Sequence, residues 1–146
     1  MMLILLPQSW SNGLAQHPDH HTGITSDWLA IDDNVAVRWD VLSNLHYGYI
    51  MAYSGISLDF AIDAANIHED AVGRGSEDQA LADTRAIEIG YALCNCPEGE
   101  GDVAAPTVDD IRAAIAGDEE LAGAGVAGGT CQISSGCAPI RGPGAG

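Results

Sequence analysis

The spacing of apolar residues changes once along this chain, and the change restricts the folds available to it. Val35, Val37 and Trp39 alternate with Ala36 and Arg38, which is the period of a half-buried strand. From about residue 41 the spacing becomes helical, with apolar residues at Leu42, Leu45, Tyr49, Ile50 and Tyr53. Asp32-Asp33-Asn34 precedes the strand and has the composition of a turn. We therefore expect a mainly α fold, a small helical domain with a short β-hairpin before the helices.

Breaks in the pattern divide the helical part into segments. Ser54-Gly55 ends the first helix, Ser57 is placed to cap the second, and Gly73-Arg74-Gly75 separates the second from the third. The third helix is expected to run from Ser76 to about Leu93, and a short capped helix follows over 107–117. The apolar positions predict that the second and third helices bury Leu58, Ile62, Ala65, Ile67, Leu81, Ile87, Ile89 and Tyr91.

Length and composition suit one folded domain. The 146 residues are 47% hydrophobic and 18% charged, values of a globular rather than a disordered chain. We place a single domain at 1–121 and a flexible Gly/Ala-rich tail at 122–146. The apolar run at residues 1–6 is too short to span a bilayer and lacks the basic start of a signal peptide. We expect it to be a strand or a packing arm, with no stable membrane insertion.

The charge of the chain is strongly acidic. It has 21 acidic side chains against five arginines and no lysine, for a net charge of −16. Such a surface keeps a protein soluble, and it also attracts basic partners or mimics nucleic acid. It repels phosphate backbones, which argues against a general nucleic-acid-binding module. It leaves open an enzyme that handles RNA briefly, or at high salt where charges are screened.

Two groups of residues are candidates for cross-links or metal binding. The cysteines are Cys94, Cys96, Cys131 and Cys137, whose spacing is not that of a standard zinc site. Two disulfides, reduced thiols and a metal site all stay open. The cluster His17, Asp19, His20 and His21 has ligand-type side chains, but adjacent histidines in a loop are a weak signal. We expect no metal and no cofactor. His68-Glu69-Asp70 is expected to be a helix end that faces water.

Residues 40–50 concentrate polar side chains within a helical pattern. Asn44, Tyr47 and Gly48 share a face at spacings of three and four residues, and Asp40, four residues before Asn44, either joins that face or caps the helix. His46 points about 160° away from Asn44, toward the apolar side. Gly48 costs about 1 kcal/mol relative to Ala in a helix, so its presence indicates the close approach of a backbone or a ligand.

His46 is the candidate acid/base group on residue type, because its pKa lies nearest the working pH. Its alternative role is that of a core histidine with a satisfied hydrogen bond. Asp83 and Arg85 lie on the third helix and point to different faces, and either could reach the first helix. Asp83 would orient His46 or complement its charge, and Arg85 would bind a phosphate. Alternatively, both are solvated surface charges.

The two segments together resemble a known family. Asn44-Leu45-His46-Tyr47-Gly48-Tyr49, followed by a Gly-bearing bend and then Asp83-x-x-x-Ile87-x-x-Gly90, is similar to the motifs of polymorphic toxin type 44 domains. The resemblance covers roughly residues 38–93, and Thr84 stands where the family tends to have Gln. These domains end secreted bacterial proteins and are predicted ribonucleases. The resemblance implies a secreted or delivered toxin, or a cytoplasmic one if the copy stands alone, together with an immunity protein.

The sequence therefore favours a toxin-type hydrolase, with a ribonuclease as the first hypothesis. His46, Asp83 and Tyr47 are the predicted catalytic residues, and Asn44, Asp40 and Arg85 the predicted substrate-binding residues. A second hypothesis is a peptidoglycan hydrolase in which Asp40 and Asp83 form the carboxylate pair. A third is a non-enzymatic subunit of a homo-oligomeric assembly. RNA or another polymer is the expected substrate.

Overall fold

A computed structural model describes residues 28–31, 33–73, 77–96, 104–124 and 129–135. The elements, in chain order, are β1 (Trp28–Ala30), β2 (Val35–Arg38), α1 (Trp39–Tyr53), α2 (Leu58–Val72), α3 (Glu77–Cys94), α4 (Val108–Ala116), α5 (Glu119–Ala124), β3 (Thr130–Gln132) and a 3-10 turn at Ile133–Ser135. The mainly α fold with a short hairpin before the helices is confirmed.

The hairpin forms where the alternating pattern predicted it. β1 and β2 are antiparallel, with Trp28 opposite Arg38 and Ala30 opposite Ala36. β3 pairs antiparallel with the other edge of β2, which gives a three-stranded sheet of order β1-β2-β3. The sequence analysis did not predict this third strand. Residues 129–135 therefore belong to the folded domain, although they lie in the segment assigned to the tail.

The centre of the molecule is the contact between α1 and α3, the most extensive contact between any two elements. Gly48 of α1 lies against the backbone carbonyl of Ile87, and Gly90 of α3 lies against the carbonyl of Leu45. A Cβ atom at either glycine would overlap the facing carbonyl oxygen. The two helices thus run antiparallel and meet backbone to backbone, which is the close approach that Gly48 indicated.

The hydrophobic core surrounds this crossing. It joins the inner faces of α1 and α3 to the sheet and to the C-terminal helices, and its largest fully buried side chains are Leu45, Ile87, Ile111, Leu121, Val37 and Val41. Helix α4 has the predicted cap at its start, in the form of a capping box between Thr107 and Asp110 that satisfies two backbone N–H groups. Ser57 caps α2 as predicted, accepting a hydrogen bond from the Phe60 amide.

Helix α2 packs on this core much more lightly. Only Ala61 of its 15 residues is buried. Ile67 is 70% exposed, so its predicted burial is wrong, and the predicted burial of Leu81 in α3 is wrong as well, because that side chain is 68% exposed. The other members of the predicted stripe, Leu58, Ile62 and Ala65, are half-buried. The hydrophobic pattern therefore predicted the packed side of α2 except at Ile67.

The C-terminal elements are tied to the core by polar contacts. The hydroxyl of Thr130 donates to the Leu121 carbonyl at 2.8 Å, and the Arg38 amide donates to the Gly129 carbonyl at 2.9 Å. Cys94 and Cys96 form a disulfide at the end of α3. Cys131 is also disulfide-bonded. Within the described ranges, no helix has the length and apolarity required to cross a membrane.

Candidate active site

A cleft of about 600 Å³ opens between α1, α2 and α3. Its walls carry many more polar side chains than the core beside it. They are formed by Trp39, Asp40, Ser43, Asn44, Tyr47, Ala64, Ala65, His68, Glu69, Gln79 and Asp83. The size is that of an ordinary ligand pocket, in which a few convergent polar groups fix the orientation of the ligand. This cleft is therefore the candidate site.

Helix α1 supplies the predicted polar face. Asp40, Asn44 and Tyr47 all line the cleft, as their spacing of four and three residues requires. The opposite side of α1, with Leu42 and Tyr49, is buried in the core. Because that side is held by packing, the three polar side chains project from a rigid helix.

Asp83 is the most perturbed carboxyl group in the cleft. Its Oδ1 accepts a hydrogen bond of 2.9 Å from Nδ2 of Asn44 on the facing helix. Burial raises the pKa of Asp83, and the nearby charges of Asp40 and Glu69 raise it further, to about 6. The Asn44 hydrogen bond and the Arg38 charge oppose this shift. A carboxyl group with such a pKa can exchange protons near neutral pH.

Asp40 is engaged by its own neighbours in the chain. Both of its oxygens contact the Arg38 guanidinium, and Oδ1 also accepts a hydrogen bond of 3.0 Å from the Val41 amide. It therefore acts on Asp83 mainly through its charge.

Two residues that the sequence analysis placed at a solvated helix end belong to the cleft instead. His68 and Glu69 both line it from α2. Each lies four residues after an alanine that also lines the cleft, Ala64 and Ala65 respectively, so all four share one face. That run of small residues at helical spacing was the available signal. It was missed because the sequence analysis assigned residues 68–70 to a helix end that faces water.

The cleft adjoins a smaller recess of about 30 Å³. Four polar residues line both the cleft and the recess: Asn44, Glu69, Gln79 and Asp83. Thr84 lines the recess but not the cleft. The recess is large enough for a water molecule, and it offers such a molecule several polar partners. A water held there would lie beside two carboxyl groups.

His46 occupies a different environment. It is half-buried, and it is not among the residues that line the cleft or the recess. Burial lowers the pKa of His46, so its imidazole is neutral at pH 7. The hydrogen-bond partner of Asp83 is Asn44, so the predicted orientation of His46 by Asp83 gains no support from the geometry.

Arg85 faces the C-terminal elements and not the cleft. Its guanidinium contacts Asp118 at 2.8 Å, Glu88 at 2.8 Å and Glu120 at 3.3 Å. Asp118 is buried, and the hydrogen bonds from Arg85 and from the Leu121 amide lower its pKa against the opposing effect of that burial. Arg85 therefore anchors α5 to α3, and it is occupied by three carboxylates rather than open to a phosphate.

The phenol of Tyr47 joins the two walls of the cleft. Its hydroxyl donates to the Ala61 carbonyl of α2 at 3.1 Å, and burial raises the pKa of the phenol. It is therefore neutral at pH 7, with its proton engaged in positioning α2. In the described part of the chain, no group of three or more His, Cys, Asp or Glu residues is arranged to hold a metal ion. The cluster from His17 to His21 lies outside those residues.

Comparison with known proteins adds no identification to this geometry. No family model, curated protein or solved structure matches the chain.

Proposed function

We propose that the protein is a toxin-type hydrolase whose acid/base group is Asp83. The observation that carries the proposal is the position of this carboxyl group. It lies in a polar cleft, it is held by Asn44 at 2.9 Å, and its pKa is raised to about 6. Titratable groups whose environment shifts their pKa toward neutrality, in a cleft of ligand size, are candidates for catalysis.

Asp83 and Glu69 have complementary tasks in the proposed reaction. Protonated Asp83 donates its proton to the leaving oxygen as the bond to that oxygen breaks. Glu69 accepts a proton from a water in the recess, and the oxygen of that water forms the new bond. The proton on Glu69 then returns through solvent to Asp83. Solvent water is the only co-reactant, and Asn44 positions the acid.

This assignment moves the chemistry from His46 to carboxylates. A ribonuclease with His46 as its base would require this imidazole at the substrate, and Arg85 free to bind a phosphate. His46 lies outside the cleft lining, and Arg85 is paired with Asp118. Under the proposal His46 is a core residue of α1. A toxin of this kind would also require an immunity protein, whose natural target would be the mouth of the cleft.

The proposal is tested by inducible expression in a bacterial host, with the chain kept in the cytoplasm or exported to the periplasm. We expect the wild type to arrest growth in one of these compartments. Asp83→Asn and Glu69→Gln should relieve the arrest, and His46→Ala should not. The matched control is Asp63→Asn, which removes an exposed carboxylate from the same helix as Glu69.

Two results would overturn the proposal. One is an Asp83→Asn variant that is as toxic as the wild type, and the other is a wild type that is harmless in both compartments. Thermal unfolding of each purified variant separates loss of activity from loss of folding. Where activity is measured in vitro, the rate should fall as the pH rises through about 6, because Asp83 loses the proton that it must donate.

A further inference from the structure

We infer that the polymer bound in the cleft is an uncharged glycan and not a nucleic acid. This inference rests on the proposed hydrolase function and specifies its substrate. It follows from which side chains line the cleft, and from the contacts that the arginines make in the described part of the chain.

Among the described residues that line the cleft there is no arginine, and the sequence contains no lysine. The three arginines in the described ranges each contact a carboxylate: Arg38 contacts Asp40, Arg85 contacts Asp118, and Arg112 contacts Asp109. Phosphate recognition depends on cations or on free backbone N–H groups that neutralise the phosphate charge. A phosphodiester entering this cleft would instead meet Asp40, Glu69 and Asp83.

The same side chains suit the hydroxyl groups of a sugar. Carboxylates accept hydrogen bonds from hydroxyls, and the amides of Asn44 and Gln79 both donate and accept them. Trp39 and Tyr47 add aromatic surface to the wall, on which the apolar face of a sugar ring can pack. A cleft of about 600 Å³ has room for a short oligosaccharide.

The chemistry of Asp83 and Glu69 also fits a glycosidic bond. Most glycosidases use two carboxyl groups, one of which protonates the leaving oxygen while the other acts on the opposite face of the sugar. In the proposed reaction the Asp83 proton passes to the glycosidic oxygen as its bond to the anomeric carbon breaks. The water oxygen bonds to that carbon, and its proton passes to Glu69.

The test uses the purified full chain with two probes, chitohexaose and total RNA. We expect new reducing ends from chitohexaose, a loss of at least about 100-fold in rate with Asp83→Asn, and intact RNA. Gln79→Ala should lower kcat/KM by about tenfold, since Gln79 lines both the cleft and the recess that holds the attacking water. Colloidal chitin, which is also uncharged, provides a second glycan with the same backbone linkage.

Salt supplies an independent readout. Cleavage of an uncharged glycan should change less than about twofold between roughly 50 and 500 mM NaCl, because there is no long-range charge interaction to screen. Cleavage of a polyanion by this acidic cleft should accelerate steeply with salt over the same range.

The outcomes separate the inference from the proposed function. RNA cleavage that depends on Asp83, with both glycans intact, would support the proposed hydrolase function and overturn the inferred glycan substrate. Failure to cleave either glycan or RNA would overturn both. Glycan cleavage that survives Asp83→Asn would retain the substrate class and overturn the proposed catalytic role.

Discussion

Helices α1 and α2 both border the cleft, but they are held to the molecule in opposite ways. Helix α1 meets α3 backbone to backbone through Gly48 and Gly90, and it buries five of its residues. Helix α2 buries only Ala61, and the hydroxyls of two tyrosines bond to this helix and to the segment that leads into it. Tyr47 donates to the Ala61 carbonyl, and Tyr91 donates to the Ile56 carbonyl at 2.9 Å.

The difference shows how one small domain combines a fixed wall with an adjustable one. Asp83 and Asn44 lie on the fixed helices, so their hydrogen bond is set by the core. Glu69 lies on α2, well beyond both tyrosine contacts, where few buried residues restrain it. Low local packing density permits opening without global unfolding. A polymer chain could therefore enter the cleft by displacing α2 alone.

The largest expected effect comes from breaking the fixed wall. Gly48→Ala places a Cβ on the Ile87 carbonyl oxygen, and backbone cannot yield as a flexible side chain does. We expect a loss of at least about 3 kcal/mol in the free energy of unfolding, measured by urea denaturation. Gly123→Ala is the matched control, because nothing lies within 4 Å of the position that its new Cβ would take. A Gly48→Ala variant as stable as the control would contradict the description of the crossing.

Hydrogen exchange compares the two walls directly. Amides in residues 64–72 of α2 should exchange at least about 30-fold faster than those at the centres of α1 and α3, a difference of about 2 kcal/mol in opening free energy. The physical reason is the absence of a buried side chain in this stretch. Equal protection in all three helices would show that α2 is as firmly held as its neighbours.

The third effect concerns Asp83, at the seam between the walls. Its folded pKa of about 6 exceeds the ordinary value of 3.8, so folding favours its protonated form. That contribution to stability is fully present below about pH 4 and is lost as the pH rises through about 6. Asp83→Asn removes this pH-dependent loss of stability, because the amide does not ionise. The Asn side chain retains an oxygen that can accept the Asn44 hydrogen bond.

We therefore expect Asp83→Asn to gain about 1 kcal/mol of stability at pH 7, a figure reduced from the full shift because solvent reaches the cleft. The gain should vanish at pH 4, in thermal unfolding followed at both values. A variant that is inactive but more stable is typical of a catalytic site. A variant less stable than the wild type at pH 7 would contradict the raised pKa assigned to Asp83.

The smallest effect is expected on the outer face of α2. Ile67 is 70% exposed, so Ile67→Ala should change the free energy of unfolding by less than about 0.5 kcal/mol. The same substitution at Ile87, which is 2% exposed on α3, should cost about 3 kcal/mol. A large loss at Ile67 would indicate that this face is covered, and sedimentation analysis would identify self-association as the cause.

The sequence predicted those parts of the fold whose signals are local. Alternation predicted the hairpin, helical spacing predicted α1 and α3, and a capping residue with acids in the first turn and a terminal glycine predicted α4. The third strand β3 was not predicted, because three residues in a glycine-rich segment carry no periodicity, and their pairing with β2 is a tertiary event.

The sequence indicated part of the cleft lining. Asn44 and Tyr47 share a face by spacing alone, Asp40 was expected either to join that face or to cap the helix, and contact between Asp83 and α1 was one of two alternatives. Glu69 was missed because its place depends on how α2 docks, with Ala61 buried and Ile67 exposed. Arg85, predicted to bind substrate, instead binds Asp118. This partner lies 33 positions further along the chain, so no local sequence pattern reveals it.

The reciprocal contact at the α1–α3 crossing has a consequence for tracing the ancestry of this chain. The position that a Cβ atom would take at Gly48 or Gly90 is filled by a carbonyl of the facing helix. Neither glycine can therefore acquire a side chain while the crossing persists. Surface charge and even the apolar residues can drift, since cores tolerate volume-conserving exchange. Gly48 lies three residues after Leu45, whose carbonyl faces Gly90, and Gly90 lies three residues after Ile87, whose carbonyl faces Gly48. We expect this pair of glycines to be retained in relatives whose overall sequence similarity is low. Distant relatives are best sought by that spacing.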